Sequence, residues 1–223
     1  MNSKINLIDA EKKAVQLFNE IERRALIVSN KSEKQLNREI FCLAEELFGI
    51  KKYWHKRIVR AGKNTLHPYK ENPPDLQIKE NDILFLDFGP VFEDWEADFG
   101  RTYVIGNDPL KHKLKNDIET AWYETQEWFK KQASVTGAEL YQYAKEIAIK
   151  YDWTFGGEIA GHLIGKFPHE KLESENFNNY VHPANHKDMF LSDEKGNKRE
   201  WILEIHFVDK EQEIGGFFEQ LLT

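Results

Sequence analysis

The feature that most constrains how this chain folds is a set of carboxylates lodged in apolar, strand-like runs. Asp87 ends Ile83-Leu84-Phe85-Leu86 and precedes Phe88-Gly89-Pro90, and Asp98 leads into Phe99-Gly100-Arg101 and Thr102-Tyr103-Val104-Ile105-Gly106. Glu204 stands in Leu203-Glu204-Ile205, and Glu219 follows Phe218. Successive side chains of a strand point to opposite faces, so either Glu taken alone has a simple place facing solvent. A lone Asp-Phe-Gly aspartate likewise has a simple place as a turn residue accepting backbone N–H bonds. Asp87 and Asp98 together, eleven positions apart across a ribbon turn, are harder to place. Paired carboxylates repel unless a cation or a shared proton lies between them.

The rest of the chain supplies a frame for such strands. Ala10, Ala14, Leu17, Ile21 and Leu26 recur near the helical period and predict an amphipathic helix over residues 8–28. Ser32-Glu33-Lys34-Gln35 has the form of a capping box, and a second helix follows through Leu36, Ile40, Leu43, Ala44 and Leu47 until Gly49. From Tyr53 to Asp82 the turn residues Gly62, Asn64, Pro68, Pro73 and Pro74 predict mostly loop, with a strand near residues 57–60. Residues 83–106 read as an antiparallel ribbon of two or three strands. Helices are expected over 108–132 and 137–150, the latter opened by the box Thr136-Gly137-Ala138-Glu139. Residues 201–208 and 214–218 read as closing strands. No linker rich in Gly, Ser or Pro divides the 223 residues, so the order suits one α+β domain.

Composition narrows the function classes. The 31 Lys+Arg against 38 Asp+Glu leave a formal charge of −7, and no basic cluster offsets it. Nucleic acid and anionic membrane are therefore poor partners, since each needs a basic face. The aromatic content, 15 Phe, 8 Tyr and 6 Trp, is ample for a packed core. A single cysteine, Cys42, excludes both a disulfide framework within the chain and a multi-thiolate zinc site. The first residues enter a charged helical pattern without the apolar stretch of roughly 7–15 residues that a secretory signal needs. The expectation is a cytoplasmic protein.

Two histidines, His162 and His169, flank Gly165 and Pro168 in Gly161-His162-Leu163-Ile164-Gly165 and Phe167-Pro168-His169-Glu170. Each alone reads as a structural hydrogen-bonding residue. His182 and His186 lie in a polar loop interrupted by Pro183, which gives little support to a metal pair there. The Asp-Phe-Gly triplets invite a kinase reading, but no glycine-rich loop of that type, no His-Arg-Asp loop and too few residues for two lobes accompany them. Taken together, Asp87, Asp98, His162, Glu204 and Glu219 are four carboxylates and one imidazole. Four negative charges balance two divalent cations, and oxygen donors with one nitrogen suit manganese, iron or cobalt, with zinc also within reach. Two such ions roughly 3.5–4 Å apart can activate a shared water and polarise an amide carbonyl.

From about Ile58 onward the chain resembles the pita-bread metallopeptidases: methionine aminopeptidases, Xaa-Pro aminopeptidases and prolidases. The segments Asn81–Gly89 and Ala97–Thr102, Gly161-His162 with Gly165 and His169, and then Glu204 and Glu219 carry the likeness in the family's order. The resemblance implies a single α+β pita-bread (creatinase/aminopeptidase) domain over residues 1–223, without an accessory N-terminal domain. In it a curved antiparallel sheet carries helices on its outer face. It further implies that Asp87 chelates one metal, that His162 and Glu204 bind the other, and that Asp98 and Glu219 bridge. Glu204 would also handle the proton of the attacking water, and His169 would hydrogen-bond the substrate. His67, in Gly62-Lys63-Asn64-Thr65-Leu66-His67-Pro68-Tyr69, resembles a pocket-lining histidine, with a turn role ahead of Pro68 as the alternative.

The implied activity is a dimetal exopeptidase that hydrolyses the N-terminal peptide bond of a peptide substrate, of Xaa-Pro aminopeptidase type, with homodimer formation left open. Glu158 and Phe217 stand where the Xaa-Pro branch usually has His and Arg, and Glu204 and Glu219 are fifteen positions apart, closer than usual. Methionine aminopeptidase-like cleavage, a non-peptide C–N hydrolysis of creatinase type and a non-catalytic peptide-binding module therefore stand as alternatives.

Overall fold

The computed structural model describes residues 3–67, 69–168, 177–193 and 196–223. Helix α1 (Ser3–Arg23) and helix α2 (Glu33–Phe48) precede strand β1 (Ile58–Ala61). The predicted first helix ran on to residue 28, whereas the chain leaves it earlier. Ala25 takes the left-handed position (φ 49°), and the amides of Ala25 and Leu26 bond back to Glu22 O (2.9 Å) and Ile21 O (3.1 Å). That is the closure usually given to glycine, so no residue type announced it. Helix α2 begins at the expected capping box, with Ser32 accepting from Gln35 N and the Gln35 side chain accepting from Ser32 N, and Gly49 caps its end at φ 67°.

Strands β2 (Ile83–Phe88) and β5 (Phe99–Val104) form the main ribbon, and β3 (Val91–Phe92) and β4 (Trp95–Glu96) make a small hairpin between them. Helices α3 (Pro109–Lys130) and α4 (Gly137–Lys150) follow, α4 opened by the Thr136/Glu139 capping box. Strands β6 (Thr154–Phe155), β7 (Leu163–Ile164), β8 (Glu200–Asp209) and β9 (Ile214–Leu221) complete the chain. The main sheet runs β1-β2-β5-β9-β8-β6, with β7 added on β8, and every pairing is antiparallel.

Strand alternation sorts the side chains. Leu84, Leu86 and Phe88 of β2 pack with α1 and α2 through Leu17, Phe18, Leu36 and Ile40. Leu203, Ile205 and Phe207 of β8 and Phe218 of β9 pack with α3 and α4 through Leu114, Ile118, Trp122 and Leu140. Trp122 is fully buried and its indole N–H donates to Leu203 O at 2.8 Å, so its polar atom is satisfied within the core. All four helices thus cover one face of the sheet, leaving Phe85 and Asp87 of β2 and Phe217 and Glu219 of β9 for the other. No helix among the described residues is long and apolar enough to cross a membrane.

The sheet consists of two locally connected halves joined at one seam. Strands β1, β2 and β5 form one half and β8 with β9 the core of the other; β5 meets β9 at the single register pair Gly100–Glu219. Side chains reinforce this short ladder. The Thr102 hydroxyl donates to Phe217 O (2.8 Å) and accepts from Phe217 N (2.7 Å). Arg101 donates to Gly100 O (2.7 Å), Glu219 O (2.9 Å) and the Gln220 side chain, its guanidinium held between the Phe99 and Phe218 rings.

Candidate metal centre

Strand register assembles the row of carboxylates at the heart of the centre. Ile58 is opposite Asp87, Asp87 opposite Gly100, Gly100 opposite Glu219 and Glu219 opposite Glu204, a single row across five strands. The middle position of the row has to be glycine: a Cβ at Gly100 would lie 2.6 Å from Phe217 Cδ1 and 3.0 Å from Glu219 Cβ. Asp98, two residues before Gly100 and just ahead of β5, reaches the same face. One step further along each strand, two residues away, stand Arg60, Phe85, Thr102, Phe217 and His206. The Phe85 and Phe217 rings meet at 5.3 Å, tilted by 33°, and with Ile58, Ile159, Phe177 and Tyr180 they wall a cavity of about 350 Å³ that contains the acidic row.

Within the row the charges are close. Asp98 lies between two imidazoles, with Oδ1 3.0 Å from His55 Nε2 and Oδ2 2.9 Å from His162 Nε2. His55 Nε2 is also 3.5 Å from Asp87 Oδ1, and His162 Nε2 is 3.5 Å from Glu204 Oε1. Donor atoms of His55, Asp87 and Asp98 lie within 4.8 Å of one another, as do those of Asp98, His162 and Glu219.

Protonation follows from burial and these neighbours. Burial, with the nearby Asp98 charge, pushes the Asp87 carboxyl up; burial with the charges of Asp98 and Asp87 does the same to Glu204, and Glu219 is raised well above the usual carboxylate range by burial and those same neighbours. Burial would raise Asp98 too, yet the His55 and His162 imidazoles outweigh it and hold that carboxyl low. Burial disfavours charge on His55 and His162, but the carboxylates facing them push both imidazoles up.

The donor set fits a divalent cation. Asp87 Oδ1 and Glu219 Oε2 are buried and have no hydrogen-bond partner among the described residues. Glu204 and Glu219 are directly opposed across an antiparallel pair, a like-charge arrangement that is unfavourable without a counter-charge. A cation satisfies both conditions at once.

The structure therefore brings Asp87, Asp98, His162, Glu204 and Glu219 together. His67 lines the same cavity nearer its mouth, hydrogen-bonded through Nδ1 to the Glu71 carboxylate. His169 lies outside the described residues. His182 stacks on Phe177 at 4.3 Å and lines the cavity, away from the acidic row. The sequence reading missed His55, Arg60, Phe85 and His206. Three of these had a signal: Phe85 and His206 stand two strand positions from Asp87 and Glu204, and Arg60 stands two from Ile58. His55 had none, since it comes from the loop before β1.

The sequence profile of metallopeptidase family M24 matches residues 6–201 of the chain. The chain belongs to this family. Among curated relatives, an uncharacterized peptidase of Methanocaldococcus jannaschii is 28% identical over 149 residues, covering 67% of this chain and 41% of the relative. The Xaa-Pro dipeptidase of Pyrococcus horikoshii is 25% identical over 170 residues, covering 72% and 46%. The M24 chain described here thus spans less than half the length of these relatives. Among solved structures, the Xaa-Pro dipeptidase from Bacillus anthracis superposes with a TM-score of 0.77 at 19% identity, covering 100% of this chain and 61% of the other. Recombinant prolidase from Thermococcus sibiricus gives 0.73 at 22% identity, covering 100% and 60%. Such identities establish the shared architecture, the pita-bread fold.

Proposed function

We propose that this M24 chain is a metal-dependent exopeptidase that hydrolyses the N-terminal peptide bond of short peptides, with an Xaa-Pro type of substrate. The observation that carries the reading is the acidic row: two opposed glutamates, a buried aspartate whose Oδ1 has no hydrogen-bond partner among the described residues, and a second aspartate between imidazoles, all within one apolar-walled cavity. Asp87, Asp98, His162, Glu204 and Glu219 would hold two divalent ions, with Asp98 and Glu219 shared. Manganese, cobalt or iron suits this donor set, and zinc can occupy it. When bound, such ions supply Lewis-acid polarisation of the scissile carbonyl and a nucleophile at neutral pH.

The remaining chemistry belongs to the chain. Glu204, whose carboxylate reaches to 3.5 Å from His162 Nε2, would be ionised opposite the bound ions and would accept a proton from the attacking water and return it to the leaving amine. The carboxylates of the row offer a site for the substrate's free amine. Phe85, Phe217 and Ile58 exclude water from one side of the cavity. His67 at the cavity mouth, and His169, would hydrogen-bond the peptide.

A second reading has one specific observation behind it. Phe217 stands where an arginine is usual in the Xaa-Pro branch, and its ring packs tilted against Phe85 to make an apolar wall, which suits a hydrophobic first side chain such as methionine. A panel of Xaa-Pro, Met-Ala and unblocked dipeptides, assayed with Mn²⁺ or Co²⁺ and with metal content measured in the same preparation, separates the two. Absence of any metal-dependent release of the first residue across the panel refutes the exopeptidase.

A further inference from the structure

We propose that His55 is itself a metal ligand on the Asp87 side of the centre, so that this chain holds its ions with two protein imidazoles, one at each end of Asp98. The inference rests on the metal-centre reading above and extends it to a residue outside the five that the family resemblance supplies.

The geometry of His55 repeats that of His162. His162 places Nδ1 2.7 Å from the carbonyl of the next residue, Leu163, and Nε2 2.9 Å from Asp98 Oδ2. His55 places Nδ1 2.7 Å from the carbonyl of its own next residue, Lys56, and Nε2 3.0 Å from Asp98 Oδ1. A carbonyl only accepts, so in both rings Nδ1 is a donor, and Nε2 points at carboxylate oxygens; it carries a proton there without metal, and a cation in its place would meet the Nε2 lone pair. That arrangement is the usual one for a metal-ligating histidine, whose second nitrogen is anchored by a backbone acceptor. Asp87 Oδ1, 3.5 Å from His55 Nε2, has no hydrogen-bond partner among the described residues. One cation between Asp87, Asp98 and His55 engages all three.

The local backbone is shaped to hold the ring there. A Cβ on Gly89 would lie 2.1 Å from His55 Cδ2 and 2.4 Å from Trp54 Nε1, so the ring and the indole pack directly on the bare main chain. The Trp54 amide donates to Gly89 O (2.9 Å) and its indole N–H to Ala97 O (3.1 Å), tying the loop to the turns that carry Asp87 and Asp98. The same indole contacts both imidazoles edge-on, at 4.4 Å from His55 and 5.0 Å from His162. The His55 side chain is 6% exposed. A second imidazole makes the Asp87 side less purely an oxygen site, and it moves preference there from manganese towards cobalt, iron or zinc.

The test is metal binding by wild type, His55→Gln and His162→Gln, each first shown to be folded by circular dichroism in chelator. Titration calorimetry with Mn²⁺ and with Zn²⁺ gives stoichiometry and affinity, and pulsed EPR on the Mn²⁺-loaded protein counts coordinated imidazoles. The expected result is two imidazoles in wild type and one in each variant. In His55→Gln one ion should weaken by more than the roughly 10–100-fold typical of losing an outer partner, with the larger loss for Zn²⁺. One imidazole in wild type, lost in His162→Gln and kept in His55→Gln, overturns the proposal and leaves the five-residue centre standing. Failure of wild type to bind either ion overturns both.

Discussion

Glu204→Gln tests the charge balance of the centre with opposite expectations for its two states. The Glu204 carboxyl is pushed up to about 8 by burial and by the charges of Asp98 and Asp87, from an ordinary 4.5. In the metal-free protein the folded state therefore binds more protons at this group than the unfolded chain between those two values, and stability falls as pH rises through that window. At pH 7 the cost is about 3 kcal/mol at most, since each unit is worth about 1.4 kcal/mol. Glutamine has nearly the shape of the neutral acid and removes that cost. A chain of 223 residues unfolds with an entropy on the order of 0.5 kcal/mol per kelvin. Thermal unfolding in chelator at pH 7 should then show the variant more stable than wild type by up to about 6 °C. At pH 4, below both values, the advantage should vanish. With divalent metal the order reverses. An ion present at about a hundred times its dissociation constant adds roughly 2.7 kcal/mol to wild type, and the variant, short of one carboxylate, should keep little of that gain. A variant less stable than wild type in chelator at pH 7, or one whose advantage persists at pH 4, refutes the reasoning.

Three further outcomes are expected. Arg101→Met should cost about 2–3 kcal/mol in urea unfolding and weaken metal binding as well, because the guanidinium joins Gly100 O to Glu219 O beneath the centre; equal metal affinity would separate the seam from the site. Glu33→Ala should cost at least about 3 kcal/mol by the same measurement, since the carboxylate accepts from Ala61 N (2.7 Å), Leu76 N (3.1 Å) and the Asn64 amide (3.0 Å); a loss below about 1 kcal/mol would contradict that. His206, kept near 4 by burial, is neutral in the fold while the unfolded chain takes up a proton below about 6.5, so stability should fall by about 3 kcal/mol between pH 6.5 and 4. In chelator, His206→Gln should show a shallower pH slope than wild type over that range, and an identical slope would refute the assignment.

Legibility of the sequence tracked the range of the forces involved. Helices α2 and α4 were marked by capping boxes, interactions spanning three residues, and both boxes formed as written. The end of α1 was not, because Ala25 takes a conformation that its residue type does not advertise. The acidic residues stood out because charge inside an apolar run is costly; Asp87, Glu204 and Glu219 share one face through register, and Asp98, just ahead of β5, joins them. The cavity wall was implicit in the same alternation, two positions along each strand. His55 was not legible. Its place depends on Gly89 being bare, on Trp54 reaching Ala97 and on Asp98 lying opposite, contacts that join distant parts of the chain and leave no periodic trace in Tyr53-Trp54-His55-Lys56.

The seam between β5 and β9 has a mechanical consequence. Asp87 and Asp98 belong to the half of the sheet that ends at β5, whereas His162, Glu204 and Glu219 belong to the half that follows; within the sheet the two meet at one register pair backed by Arg101 and Thr102, and outside it by contacts such as Gly215 N to the Thr65 hydroxyl (2.7 Å) and Phe167 N to Asp94 O (2.7 Å). A cation held by Asp98 together with residues of the second half would act as a rivet across this joint. Two fragments divided between β5 and α3 would then reassociate more readily with divalent metal than without it, the ion adding to the hydrogen bonds and core packing that already join them.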